Sequence, residues 1–377
     1  MEFDINKITN EAIKAINEKI KNLKHLNIVI VGKTGVGKST LINSVFRENL
    51  AETGIGRPVT NSVRLIEKPD YPLSVYDTPG FELGAAEQNK VKDEILKVIH
   101  DGIASKDINK AIHCVWYCIN TASSRIEPEE IRWLKEFSAE NKMTRVPVIV
   151  VLTQACPKKK ALEMVRAIES ENLDIISVVP VLAQNMDFDG EFEFKSYGLD
   201  TLIEVMQNSL PEELCDTLQN VQIASLKAKK KRAQAVVAAA VTSAFGEGFA
   251  PVPFADAAML VPTQVAMIAS ITAIFGIDIS KGIISAFVSS TIGAGGATIL
   301  GRTVVSNIFK LLPGVGSVIG GTISGATAGL ITTALGEAYI RLMILVYKGE
   351  VSKESLATAA GRQELEKIFK DELKKKR

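Results

Sequence analysis

Gly32-Lys33-Thr34-Gly35-Val36-Gly37-Lys38-Ser39 follows directly on the apolar run Leu26-Asn27-Ile28-Val29-Ile30-Val31. A buried strand must therefore end in a glycine-rich turn that opens a helix, the pattern G-x-x-x-x-G-K-[ST]. Glycines let such a turn aim the N–H groups of Gly35, Val36 and Gly37 at phosphate oxygens, and the helix starting near Lys38 adds the positive end of its dipole. Lys38 is placed to reach the β- and γ-phosphates. Ser39 offers a hydroxyl to Mg²⁺, a hard cation that takes a few oxygen ligands from protein and phosphate, and Thr40 follows in the first turn. Leu41, Ile42, Val45 and Phe46 then give the helix an apolar face. The expected ligand is a nucleoside triphosphate.

A chain of 377 residues, 46% apolar, has material for about two or three cored domains. Its 44 Lys and Arg against 43 Asp and Glu leave a net charge of +1, which argues against a coat for nucleic acid, so no nucleic-acid partner is expected. Cys114, Cys118, Cys156 and Cys215 form no C-x-x-C pair and the three histidines are scattered, so reduced thiols and no structural zinc are expected. The start Met-Glu-Phe-Asp-Ile-Asn-Lys lacks the basic and apolar regions of a secretory leader, which points to a cytoplasmic nucleotide domain. Ile8, Ala12, Ile13, Ile16, Ile20 and Leu23 recur at helical spacing and predict an amphipathic helix over 1–24 that packs on the helical second half.

Leu73-Ser74-Val75-Tyr76 reads as a second strand, leading into Asp77-Thr78-Pro79-Gly80. Asp77 is expected to hold the metal through water and the Gly80 N–H to donate to the γ-phosphate, so that loss of this phosphate releases the segment beyond. Between the motifs, 53–60 is a polar, glycine-containing loop expected to order when Thr60 meets the metal, with Thr53 and Ser62 as alternatives. Arg57 in that loop either stabilises transition-state charge or is a solvated arginine.

The phosphate loop, Thr60 and the Asp77–Gly80 motif together resemble the translation-factor-related small GTPases, in particular the Era, septin and HSR1-like group, over residues 26–212. The resemblance implies an α/β domain with a mixed, mostly parallel sheet flanked by helices, GTP and GDP as ligands with Mg²⁺, and hydrolysis that is slow or stimulated across a nucleotide-dependent homodimer. It also implies a base-reading N/T-K-x-D motif after the buried run Val146–Leu152. Here that stretch is Thr153-Gln154-Ala155-Cys156, with a cysteine where the guanine-reading carboxylate stands, and a thiol is a weak acceptor. Thr153 and Gln154 remain the candidates at this edge, and Ala183 matches the last family motif. Phe81 stands where Ras-like members carry the glutamine that orients water. His113, in the strand predicted over Ala111–Ile119, has no carboxylate neighbour in sequence and reads as structural.

After Pro211 the composition changes. Lys227, Lys229, Lys230, Lys231 and Arg232 lead into a stretch rich in Ala, Gly, Val, Ile, Ser and Thr that reaches Tyr347. Three charge-free spans, Ala257–Ile277, Gly282–Gly301 and Leu311–Gly336, reach the roughly 20 residues a bilayer needs. Their many Gly, Ser and Thr residues and Pro262 fit a buried bundle equally well. The basic run reads either as a solvated helix face or as a cluster at a membrane edge. Gly248–Asp256 and Leu260–Met267 resemble the YcjF-like helical domain fused to bacterial GTPases of this kind, and Asp256 reads as a helix N-cap or a cation ligand. The expected organisation is 1–24, an N-terminal helix; 25–212, the nucleotide domain; and 213–377, an all-α glycine-rich domain with outline resemblance to immunity-related and dynamin-like GTPases. The function this implies is a GTP-binding and hydrolysing switch whose helical domain contacts a membrane or a protein partner. The alternatives are a nucleotide-gated membrane-remodelling or pore-forming effector and a slowly hydrolysing, nucleotide-bound scaffold.

Overall fold

The computed structural model describes residues 4–47, 55–60, 63–78, 85–123, 126–247, 257–291, 325–356 and 358–375. Two compact units emerge, Leu23–Ala228 and a second that joins Met1–Asn22 to Lys229–Arg377. The chain opens with α1 (Ile5–Lys21), which belongs to the second unit.

In the first unit the apolar runs become β1 (Leu26–Val31), β2 (Ile55–Pro58), β3 (Arg64–Glu67), β4 (Leu73–Asp77), β5 (Cys114–Asn120), β6 (Val148–Thr153) and β7 (Ser177–Pro180). They form one sheet in the order β2-β3-β4-β1-β5-β6-β7. Neighbours from β4 through β7 are parallel, whereas β3 runs antiparallel to β4 and β2 antiparallel to β3. Every residue of β1 and β6 is buried, as parallel strands require when helices cover both faces. Those helices are α2 (Lys38–Val45), α3 (Ala85–Ala104), α4 (Pro128–Asn141), α5 (Lys158–Glu169), α6 (Leu199–Ser209) and α7 (Glu212–Val221). Strand alternation sorts the core: Ile28, Ile30 and Trp116 pack with Leu41, Phe46 and Met206, while Val29, Val31 and Tyr117 pack with Ile95, Trp133 and Phe137.

The expected switch loop is partly regular. Residues 55–58 form an edge strand on β3, with Pro58 at its last position, where a missing N–H costs the ladder little. Residues 213–228 pack with the nucleotide unit. Thr217 Oγ1 donates to the Lys24 carbonyl at 2.7 Å, Tyr71 Oη to Val221 O at 2.8 Å and Ile223 N to Val45 O at 2.8 Å. Buried Gln222 closes this segment by accepting from Ser225 N at 2.7 Å and donating to Gln219 Oε1 at 2.8 Å. There α8 (Leu226–Glu247) begins. A hairpin of β8 (Met186–Phe188) and β9 (Phe192–Phe194) stands apart from the main sheet.

His113 is structural, as its sequence context suggested. Its Nδ1 accepts from Asn27 N at 2.9 Å and its Nε2 lies 2.8 Å from Ile108 O, which together select the neutral Nε2–H tautomer. Burial drives its pKa down to about 4, against the hydrogen bond to Ile108 O, which favours a protonated ring, while the bond accepted from Asn27 N requires the neutral one.

The second unit comprises α1, α8 from Lys229 onward, α9 (Ala257–Phe275), α10 (Lys281–Thr291), α11 (Gly325–Tyr347), α12 (Lys353–Leu356) and α13 (Ala359–Lys375). Helix α1 lies along α9 and α10, and α11 along α9 and α13. The buried stripe of α1 is Ile8, Thr9, Ala12 and Ile16, narrower than its spacing predicts, and Ile20 is exposed. At Gly336 an added Cβ would lie 2.5 Å from Val237 Cγ2 and 3.0 Å from Met267 Sδ, so this glycine sets how closely α11 approaches α8 and α9. Among the described residues, Ala328–Tyr347 is the helical stretch long and apolar enough to cross a membrane, and 56% of its most apolar window is buried in the unit. Asp256 and 248–255 lie outside the described residues.

One member of the basic run departs from both readings: Lys227, Lys230 and Lys231 are exposed, whereas Lys229 is wholly buried. Its Nζ donates to Ile274 O at 3.0 Å and Phe275 O at 3.2 Å and sits 5.9 Å from the centroid of the Tyr347 ring. Those carbonyls end α9, where no helical N–H is left to pair with them and the dipole favours a cation. Gly276, with φ +65°, completes the end by turning its N–H back to Thr272 O at 3.1 Å.

Two stability effects follow. Lys229→Ala strips two buried carbonyls of their donor and lowers the unfolding free energy by about 1–3 kcal/mol in urea melts, while exposed Lys230→Ala shifts it by less than about 0.5 kcal/mol. Because the folded pKa of His113 is depressed, its contribution is complete above the unfolded value of 6.5 and is lost as the pH falls towards 4. That loss reaches about 3 kcal/mol by pH 4. His113→Gln, which keeps one acceptor and one donor, should flatten the pH dependence of the urea midpoint between pH 7.5 and 5.

Candidate nucleotide site

The sheet order reverses direction at β1: the chain pairs β1 with β4 on one side and β5 on the other, and the glycine loop leaves β1 at that crevice. Open parallel sheets bind ligands at such a point, outside the carboxyl ends of the strands. An added Cβ at Gly32 would lie 2.5 Å from the Cys118 carbonyl, so only glycine lets the loop leave past β5. Gly37, at φ +93°, is the residue before α2, and its carbonyl accepts from Leu41 N at 2.9 Å. Lys38 curls back across the loop, its Nζ 2.8 Å from Gly32 O and 3.1 Å from Lys33 O. Ser39 and Thr40 are exposed on the first turn of α2. Thr153 Oγ1, buried at the end of β6, anchors the loop by contacting Val36 O at 2.5 Å and Ile119 O at 3.2 Å.

Parallel register places Asp77 beside Ile30, near the root of the loop. The Thr78 N–H and hydroxyl both reach Ile30 O, at 3.3 and 3.2 Å, and fix the strand end. Asp77 Oδ1 is buried with no hydrogen-bond partner among the described residues. Burial raises the Asp77 carboxyl above its ordinary value, and Lys38, Arg64 and the Thr78 N–H oppose this without cancelling it. A buried carboxylate oxygen lacking a donor is costly unless a cation or a water bound to one meets it. With the Ser39 hydroxyl it makes an all-oxygen set of the kind Mg²⁺ accepts, and the residues therefore fit that ion.

The other predicted residues divide. Thr60 is described, and its hydroxyl bonds Glu94 Oε2 on α3 and accepts from Val63 N at 3.0 Å. Arg57 lies in β2 and its side chain is outside the description. Gly80 and Phe81 lie outside the described residues, as do Thr53 and Ser62. Lys33 was not singled out from sequence, yet it joins the loop to the start of α4 through Glu127 at 2.5 Å and Glu130 at 3.7 Å. Glu127 and Glu130 also form the capping box of that helix, and the spacing Glu127-x-x-Glu130 ahead of an apolar run was the available signal.

A cleft of about 170 Å³ opens beside the loop, between Gly37 and Thr40, Thr153 and Gln154, and residues 181–186. Ligand cavities run to roughly 300–1,000 Å³, so this one suits part of a ligand, such as its base. Ala183 lines it. Thr153 lines it too, but spends its hydroxyl on the loop. Gln154, at φ +50°, brings Nε2 to 3.5 Å from Gly35 O. Cys156 is not among the lining residues, and no carboxylate is. Gln184, Asn185 and Met186, absent from the sequence reading, complete the wall.

Residues 27–154 match the family model described as 50S ribosome-binding GTPase, and residues 214–370 match one described as Domain of unknown function (DUF697). A chloroplastic ERA-like GTPase of Oryza sativa subsp. japonica is 30% identical over 130 residues, covering 34% of this chain and 28% of its own. Septin-2 of Rattus norvegicus is 28% identical over 156 residues, covering 35% of this chain and 42% of its own. The chain spans between 28% and 55% of the length of the first such relatives. A solved structure of a probable GTP-binding protein engB aligns with 48% of this chain and 99% of that one at 21% identity and a TM-score of 0.29, too low to support the fold, which rests on the strand order above. Over residues 27–154 the chain is thus similar to the GTPase domains of ERA-like proteins and septins, and over residues 214–370 it matches the DUF697 model.

Proposed function

We propose that residues 23–228 bind GTP with Mg²⁺ and hydrolyse it to GDP, and that the nucleotide state governs how the helical unit contacts a membrane or a protein partner. The observation that carries this reading is the pairing of a folded phosphate loop with a buried, donorless Asp77 Oδ1 at the neighbouring strand end. Lys38 would exchange the Gly32 and Lys33 carbonyls for phosphate oxygens, a charge-assisted bond stronger than the neutral ones it replaces. The N–H groups of Gly35, Val36 and Gly37 and the first turn of α2 with Ser39 and Thr40 would surround the phosphates. Ser39 and Asp77 would hold Mg²⁺, whose charge offsets that of the transferring phosphoryl group. Thr60 would join them on leaving Glu94, with Gly80 sensing the γ-phosphate and Arg57 stabilising charge in the same chain or across a homodimer. Turnover is slow in this reading, because Phe81 cannot orient water. Membrane contact as the output draws support from the apolar stretch Ala328–Tyr347.

Lys38→Ala should weaken GTP binding in Mg²⁺ roughly tenfold to a hundredfold, the worth of a hydrogen bond to a charged group, with the circular dichroism spectrum unchanged; retained affinity contradicts the reading. Asp77→Asn should leave binding measured in EDTA unchanged and remove most of the gain that Mg²⁺ brings, and an equal loss in both conditions would assign Asp77 a structural role.

A further inference from the structure

The site leaves one chemical requirement unmet. Guanine presents its N1 and N2 hydrogens along one edge, and a carboxylate with two acceptor oxygens is the group that receives both. Residue 156 is a cysteine and no carboxylate lines the cleft among the described residues. The cleft wall does touch one. Asn185 donates through Nδ2 to Glu193 Oε1 at 2.8 Å and accepts at Oδ1 from Ser196 N at 2.9 Å, so its amide is oriented by both ends and ties Glu193 to the cleft.

The β8–β9 hairpin that brings Glu193 there is built for a defined register. Asp189 and Gly190, at φ +53° and +73°, make its turn, and Gly190 N donates to Asp187 Oδ1 at 2.9 Å. The ladder pairs Met186 with Phe194, Asp187 with Glu193 and Phe188 with Phe192. Asp187 and Glu193 are therefore directly opposed carboxylates, an arrangement that destabilises a two-stranded ribbon. Asp187 is spent on the turn. Glu193 turns instead to Asn185, so each of the two opposed acids has its own partner.

We propose that Glu193, hydrogen-bonded to the cleft residue Asn185, is the specificity-determining carboxylate of this site and receives the N1 and N2 hydrogens of guanine in place of the acid missing at Cys156. The assignment rests on the nucleotide-binding reading above and adds to it the base and the residue that selects it. Glu193 reaches the base from the hairpin, two elements away in sequence from the Thr153–Cys156 stretch where the resemblance places the reader.

The test is equilibrium binding of fluorescent GTP, ATP and XTP analogues in Mg²⁺ to the full chain and to Glu193→Gln, an isosteric change at an exposed position that keeps an acceptor for Asn185. Xanthine carries a carbonyl where guanine carries its 2-amino group, so an amide complements it and a carboxylate does not. The wild type should favour GTP over both others. Glu193→Gln should lose roughly tenfold to a hundredfold in GTP affinity and gain about as much for XTP, with ATP unchanged. Unchanged preference in Glu193→Gln, or equal wild-type affinity for GTP and ATP, overturns the assignment while leaving triphosphate binding intact. Failure of the wild type to bind any of the three overturns the nucleotide reading itself.

Discussion

The parallel pairing of β1 with β4 is the constraint on which the site depends. It sets Asp77 opposite Ile30 in register, so the acid of one motif arrives at the root of the loop formed by the other. A one-residue slip would turn Asp77 to the opposite face of the sheet and carry the whole buried set with it. Register is secured by burial on both faces of β1 and by the two hydrogen bonds that the Thr78 N–H and hydroxyl donate to Ile30 O. The orphaned Asp77 oxygen and the looped-back Lys38 are therefore consequences of core packing, which holds two costly polar groups where a phosphate and its cation would relieve them.

Much of this was legible in the chain because it is written locally. The run Leu26–Val31 and the glycine pattern after it specify strand, turn and helix without help from distant residues, and Val148–Leu152 is a continuous apolar run of the kind a parallel sheet needs. His113 was also readable as structural, although it lies just before β5 and not within the strand predicted from Ala111: a lone histidine without a nearby acid has backbone groups as its available partners. Lys229 was not. Within a run of five basic residues its sequence resembles that of its exposed neighbours, and what singles it out is the end of α9, reached only through tertiary packing.

The base edge shows the same division. The absence of an acid at Cys156 could be read directly, whereas its replacement could not, because Glu193 sits in a hairpin of three-residue strands too short for a periodicity argument. A signal was present nonetheless: Asp189-Gly190 flanked by the alternations Met186-Asp187-Phe188 and Phe192-Glu193-Phe194 is a hairpin signature. Thr60 illustrates the reverse case. Its place in the sequence suggested a metal ligand, and the fold gives its hydroxyl a partner in Glu94, so any role at the metal requires an exchange of partners between β2 and α3.

Gly336 sets the approach of α11 to α8 and α9, and buried Lys229 closes α9. Whatever the helices contact, the central claim concerns the loop, and it is tested most directly by a crystal structure of the chain with Mg²⁺ and a non-hydrolysable GTP analogue. The account predicts the γ-phosphate on Lys38 Nζ, with the bonds to Gly32 O and Lys33 O broken, and the ion on Ser39 with Asp77 reaching it through water. Lys38 still on its carbonyls in crystals that hold the analogue elsewhere would contradict it.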